Sequence, residues 1–157
     1  MTHNEFAQQV VAMQSTLYRV SASLLRQPCD REDAVQSAIE LAWRKRASLR
    51  DESRLAPWLT RILINECYTI LRQQKRVTPV EAVPELPASP GVDVDLHRFF
   101  AKLPDKLRLP MLLYYVEGYP VSQVASILRL PEGTIKSRLS RGRERMRQER
   151  LLEEAED

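Results

Sequence analysis

The sequence predicts an all-α protein: two small helical domains joined by a Pro-rich linker, the second carrying a helix-turn-helix. Three observations predict it. Apolar residues recur at i, i+3, i+4 and i+7 along most of the chain, the period of helices buried on one face. Four glycines and a 6% aromatic share do not suit a barrel or a sandwich. Four of the ten prolines, Pro79, Pro84, Pro87 and Pro90, fall in one short stretch, Val77 to Val92. Prolines at that density exclude helix and favour an extended, semi-stiff connector. The expected division is residues 1–76, a linker over 77–93, and residues 94–157. A length of 157 residues with 43% hydrophobic content is enough for two small cores.

The first helix is expected from Asn4 to Arg26, where Phe6, Val10, Met13, Leu17, Val20 and Leu24 form one apolar stripe. Gln27-Pro28-Cys29-Asp30 breaks it: a proline disfavours helix in the residue before it, and Asp30 is suited to cap the next helix. That second helix spans Arg31 to Ala47, with Val35, Ile39, Ala42 and Trp43 as its expected buried stripe and Glu32, Asp33, Gln36, Glu40 and Arg44 outside. A polar loop around Arg50 to Ser53 leads to a third helix, from Pro57 to Lys75. There Leu59, Ile62, Leu63, Ile70 and Leu71 are apolar, and Trp58, Arg61, Asn65, Tyr68 and Arg72 make a mixed face. Gln73-Gln74-Lys75-Arg76 closes it with positive charge, favourable at a helix C-terminus.

After the prolines, Val94 to Ala101 resumes helical spacing, and Leu103-Pro104 breaks it. Lys106 to Glu117 is strongly apolar, with Leu107, Met111, Leu112, Tyr115 and Val116. Pro110 inside it predicts a kink or a late start, and Gly118 is placed to end it. Val121, Val124, Ala125 and Leu128 then give a short helix one apolar face. Arg129-Leu130 leads to Pro131, suited to a first helical position. Ile135, Leu139, Gly142 and Met146 come next at i, i+4, i+7 and i+11, the inward face of a second, basic helix. A short helix, a tight turn and a longer basic helix have the form of a helix-turn-helix. The final EEAED is expected to fray.

On that last helix Ser137, Ser140, Arg141 and Glu144 point away from the inward face, at about 100° per residue. Lys136, Arg143 and Arg147 line one flank; Arg138 and Arg145 line the other. Small hydroxyls and an arginine between two basic rows suit a helix that reads bases and grips phosphates on both sides. The whole chain carries only +3, with a pI near 9.0. Charge is concentrated between Lys136 and Arg150, the footprint of a nucleic-acid partner.

The same sequence excludes other chemistries. Cys29 and Cys67 form no CxxC pair, and His3 and His97 are the only histidines, too few ligands for a zinc site. Both cysteines are expected as reduced thiols, with no metal and no cofactor. No nucleophile–base pair suggests an enzyme or a small-molecule substrate. No apolar run reaches the length of a membrane span, and MTHNEFAQQ lacks the basic start and apolar centre of a signal peptide. A cytoplasmic protein is expected.

Residues 5 to 148 resemble bacterial RNA polymerase sigma factors of the extracytoplasmic-function (ECF) group, within the sigma-70 family. Asp30-Arg31-Glu32-Asp33-Ala34-Val35-Gln36 with Ala42-Trp43 after it is similar to the D-x-E-D-x-V-Q…A-W segment of that family. Pro57-Trp58-Leu59 through Asn65 is similar to its W-L-x-R-I-x-x-N segment. Leu103-Pro104, Tyr115 to Gly118, Val124-Ala125, Leu128 and the run from Pro131 to Leu139 match it in order. Pro120, Ser122 and Gln123 depart from a pattern that often has serine and acids there.

The resemblance implies roles. Asp30, Asp33, Gln36 and Glu40 would belong to a surface docking on the coiled coil of the largest (β′) subunit of core RNA polymerase. The third helix and the loop before it would open the −10 element of promoter DNA. Asn65, on the Trp58 side, would help hold an unstacked base while Arg61, Arg72, Lys75 and Arg76 supply charge for the backbone. Thr134, Lys136, Ser137, Arg138, Ser140, Arg141 and Arg143 would engage the −35 element, Lys136 from the flank of the helix. The linker would run through the polymerase interior. An anti-sigma factor, often membrane-bound in the family, would be a further partner. Two other readings are a stand-alone helix-turn-helix regulator and a helical protein-binding adaptor with no DNA role.

Overall fold

The computed structural model describes residues 1–77 and 94–156, and every regular element among them is helical. The linker expected over 77–93 lies, beyond Val77, outside the described residues. Backbone contacts divide the chain into two compact units, Met1–Glu85 and Leu86–Asp157.

In the first unit, helix α1 spans His3–Ala12 and helix α2 spans Gln14–Leu24. Thr2 and Glu5 form a reciprocal capping box at the start of α1: the Glu5 amide donates to Thr2 Oγ1 at 3.2 Å and the Thr2 amide to Glu5 Oε2 at 2.9 Å. The single helix expected from Asn4 to Arg26 is interrupted at Met13, whose ψ of 2° opens the backbone between two shorter rods. The predicted stripe survives the interruption, since Phe6, Met13, Leu17, Val20 and Leu24 are all buried; Val10 is only half-buried.

Helix α3 spans Pro28–Arg44, three residues earlier than expected, because Pro28 occupies its first turn and Asp30 lies inside the helix. Its buried stripe is also different. Ala34, Ala38 and Ala42 are fully buried, whereas Val35, Ile39 and Trp43 are half-buried. Small side chains let α3 lie close against helix α4, Leu55–Val77. The larger neighbours, one position further round, take the flank. Trp43 packs there against Phe6 (5.2 Å between ring centroids) and His3 (5.3 Å), with the Arg46 guanidinium 3.8 Å above its ring. In α4, Leu55, Leu59, Leu63, Ile64 and Cys67 face α2 and α3, while Ile62, Ile70 and Leu71 sit half-buried on the edges.

The second unit contains helix α5 (Val94–Lys102), helix α6 (Asp105–Met111), a wide π turn over Leu112–Val116, helix α7 (Val121–Leu128) and helix α8 (Glu132–Glu156). Pro110 lies inside α6 and is buried. Its missing N–H removes one rung of the helical ladder, and the backbone widens just beyond it, where the Glu117 amide donates to the Leu112 carbonyl at 3.0 Å. Gly118 ends this segment at φ 79°, a conformation glycine adopts without a Cβ clash. Tyr115, counted among the apolar residues of this stretch, is 47% exposed, because the π turn shifts the helical phase.

The helix-turn-helix is α7 and α8. Arg129 turns the chain between them in the left-handed region, φ 55° and ψ 46°, and the Leu130 amide closes onto the Ala125 carbonyl at 3.0 Å. Pro131 stands just before α8 rather than at its first position, and its carbonyl receives the Thr134 and Ile135 amides. Val124, Ala125 and Ile127 face the core; Val121 and Leu128 are half-buried. Ile135, Leu139 and Gly142 are buried as expected, but Met146 is 37% exposed, since α8 outruns the helices it packs on. Helix α8 runs on to Glu156, through the acidic residues expected to fray. Its final residues are good helix formers, and opposite charges meet along it, as in Arg150 and Glu154 at 3.6 Å.

Each unit uses a buried arginine to close a helix end. Arg31, 6% exposed, donates to the carbonyls of Leu25 (2.7 Å) and Arg26 (2.9 Å) after α2. Arg108, 2% exposed, donates to those of Phe100 (3.0 Å) and Leu103 (2.6 Å) at the end of α5, and to Asp105 Oδ1 at 2.8 Å. The last carbonyls of a helix have no partner within it. A planar fork of five donors suits such a cluster of acceptors.

Candidate nucleic-acid interface

The inward residues of α8 fix which residues face out. With Ile135 and Leu139 in the core, Ser137, Ser140 and Arg141 are exposed, flanked by exposed Lys136 and Arg143 on one side and half-buried Arg138 on the other; Thr134 is half-buried near the start of the helix. The structure therefore brings all seven sequence-predicted positions onto one helix. Lys136, Arg138, Arg141 and Arg145 make no hydrogen bond or ion pair among the described residues. Arg143 differs: its Nη1 donates to the Tyr115 hydroxyl at 3.2 Å. Arg147 is paired with Glu144 at 2.7 Å. Thr134, Ser137, Arg138 and Arg141 also border a groove between α8 and the start of α6, together with Lys106 and Arg145.

On α4, Trp58, Arg61, Asn65 and Arg72 fall within about 60° of one another round the helix, at 100° per residue. Trp58 and Arg61 are half-buried, Asn65 and Arg72 exposed. Arg61 Nη2 is buried and has no hydrogen-bond partner among the described residues. Arg72 is steadied by Thr69, whose Oγ1 receives an Nη2 hydrogen bond at 3.1 Å.

On α3, Asp33, Gln36 and Glu40 are exposed along one face. Asp30 is set apart from them: it is half-buried and accepts from Gln74 Nε2 of α4 at 2.6 Å. Asp30 and Asp33 still share a groove between α3 and α4 with Glu66 and Gln73. Sequence reasoning missed Arg31, Arg108, Lys106 and Tyr115. The two buried arginines each come three or four residues after a proline, a spacing visible in the sequence. Lys106 and Tyr115 gave no local signal.

The chain matches sigma-70 region 2 over residues 10–77 and sigma-70 region 4 over residues 93–146. The ECF RNA polymerase sigma factor SigM of Mycobacterium tuberculosis is 31% identical over 135 residues, covering 83% of this chain and 69% of SigM. The chain belongs to the ECF RNA polymerase sigma factors. The ECF sigma-E factor of Escherichia coli K12 is 31% identical over 135 residues, covering 73% of this chain and 71% of that protein. Among solved structures, the sigma factor RpoE of Bartonella quintana, crystallised with the anti-sigma factor NepR, superposes with a TM-score of 0.78 at 31% identity, covering 92% of this chain and 95% of RpoE. Membership of the family places this ECF sigma factor in promoter-directed transcription initiation with RNA polymerase. Sigma factors are non-catalytic initiation factors, and the regulator and adaptor readings are not favoured. Among the described residues no group of three or more His, Cys, Asp or Glu is placed to hold a metal, and no helix is long and apolar enough to cross a membrane.

Proposed function

We propose that this ECF sigma factor works through three separate surfaces. Residues 94–157 engage the −35 element. Ser137, Ser140 and Arg141 meet base edges, Lys136, Arg138 and Arg143 hold the flanking phosphates, and Thr134 acts at the N-terminal end of α8. Residues 1–76 dock on core RNA polymerase through Asp33, Gln36 and Glu40, with Asp30 contributing from the α3–α4 groove. The α4 face of Trp58, Arg61, Asn65 and Arg72 engages the −10 element as it opens. Residues 77–93 connect the two.

The observation that carries this reading is the orientation of α8. Its apolar face is committed to the core, so its hydroxyls and unpaired cations are presented together. Major-groove readers need that arrangement, since phosphate contacts position the helix and base contacts specify. The protein contributes binding and leaves bond-making to the polymerase, in the cytoplasm. An anti-sigma factor is its regulatory partner, as NepR is for the similar RpoE. Run-off transcription with core polymerase, with and without this protein, over a promoter library tests the reading. Initiation confined to promoters sharing two spaced elements is expected. A competent core that initiates identically with and without the protein sinks it.

A further inference from the structure

Beyond the residues of α8, the second unit carries a cation that belongs to neither helix of the helix-turn-helix. Lys106 stands exposed in the first turn of α6 and borders the groove that runs along α8 past Ser137, Arg138, Arg141 and Arg145. Glu144 borders the groove and Asp105 precedes Lys106 in the chain, and both carboxylates are engaged. Asp105 accepts from Arg108 Nη1 at 2.8 Å. Glu144 accepts from Arg147 Nη2 at 2.7 Å. Lys106, Arg138, Arg141 and Arg145 have no such partner among the described residues. Four cations thus line one concavity against one bordering acid, Glu144, which Arg147 already pairs. A concave surface of one sign focuses potential and attracts the opposite charge.

We propose that this groove is a track for one DNA strand, with Lys106 a phosphate contact supplied from outside the helix-turn-helix. The inference rests on the −35 reading above and names a residue that reading does not include. Its length suits a strand. Arg138 and Arg145 are seven residues apart, about 10 Å of helix rise, enough to reach neighbouring phosphates of one strand. Thr134 borders the same groove with a hydroxyl that can donate to a phosphate oxygen. The opposite flank of α8 carries Lys136 and the Tyr115-held Arg143. A strand seated between α6 and α8 therefore grips the helix from its second side. Lys106, fixed to α6 rather than to α8, then acts as a positioning residue that sets how α8 lies in its groove.

The test uses the full chain assembled with core polymerase, on matched and −35-scrambled promoter duplexes, across a salt series. Lys106→Ala and Arg145→Ala should each weaken both complexes by the same factor and lower the salt slope by about one. Each variant's deficit should then shrink about threefold between about 50 and about 200 mM salt. Lys106→Arg should restore the slope and Lys106→Glu should deepen the loss. Arg150→Ala, at a cation paired with Glu154 and away from the groove, should change neither quantity. Because Lys106 is exposed, urea midpoints of all variants should match wild type, which separates binding from folding. A wild-type complex whose affinity and salt slope are unmoved by Lys106→Ala overturns the proposal while leaving the −35 reading intact. Loss of binding to an acidic protein partner, with DNA binding unchanged, overturns it in favour of that partner. A wild-type complex indifferent to scrambling of the −35 element overturns the −35 reading itself.

Discussion

Arg108 Nη2 donates to the Leu103 carbonyl at 2.6 Å, from a side chain 2% exposed to solvent. The same side chain also donates to Phe100 and Asp105. This one side chain closes the end of α5 and braces the start of α6, on which α8 rests. Arg108→Met fits the space but leaves two carbonyls unsatisfied, and Arg108→Lys lacks the planar fork. Each hydrogen bond to a charged group is worth roughly 1.5–3 kcal/mol, so either variant should lose about 3 kcal/mol or more in urea unfolding of the second unit. Unchanged stability in both would remove Arg108 from this role.

Arg141 and Arg138 separate base reading from phosphate grip. Arg141→Ala should cost roughly 1–3 kcal/mol on a matched promoter and relax preference at one base position. Arg138→Ala should weaken matched and mismatched promoters alike and flatten the salt dependence. A competition assay in which Arg141→Ala weakens matched and mismatched promoters equally contradicts the assignment.

Asp33 and Gln36 are exposed on α3, whereas Asp30 is bound to Gln74. Asp33→Ala with Gln36→Ala should reduce affinity for core polymerase about tenfold or more, the loss of roughly 1.4 kcal/mol. Binding to an isolated −35 duplex should not change. Equal affinity of variant and wild type for the core in a titration would remove this face from the docking surface.

Cys29 is exposed and Cys67 buried. Burial pushes the Cys67 thiol up to about 12 from its ordinary 9.0. A raised pKa means the folded state keeps the proton longer than the unfolded chain. The stability this represents is complete below about pH 9 and is lost as pH rises towards 12. Wild type should therefore lose more stability than Cys67→Ala across that window. A thiol reagent at neutral pH should modify Cys29 at once and Cys67 only when urea unfolds the chain. Rapid labelling of both in native protein would contradict the buried placement.

Arg129 holds a left-handed backbone between α7 and α8. Glycine reaches that region without the Cβ penalty of roughly 1–2 kcal/mol. Arg129→Gly should raise the thermal midpoint of the second unit, with the helix-turn-helix intact. A lowered midpoint would show that the arginine side chain contributes more than the turn costs.

Much was legible in the sequence because it was written at helical period. Phe6, Leu17, Val20, Ile135 and Leu139 needed only their spacing to be placed inside, and the inward position of the last two aimed Ser137, Ser140 and Arg141 outward. Basic residues between Lys136 and Arg150 declared a polyanion partner without any fold.

Tertiary structure decided what spacing leaves degenerate. Periodicity favours the larger apolar side chain, yet α3 buries Ala34, Ala38 and Ala42, because its distance from α4 admits only small residues there. Pro110 announced a disturbance, but only the packed helix turned it into a π turn that carries Tyr115 out to Arg143. Arg31 and Arg108 gain their role only from the helix ends whose open carbonyls stand beside them. Lys106 lies 31 positions before Ser137 in the chain and joins its groove only because α6 folds back along α8. Local sequence sets which face of each helix is apolar; contacts between distant segments set how close the helices come, and so which polar groups share a surface.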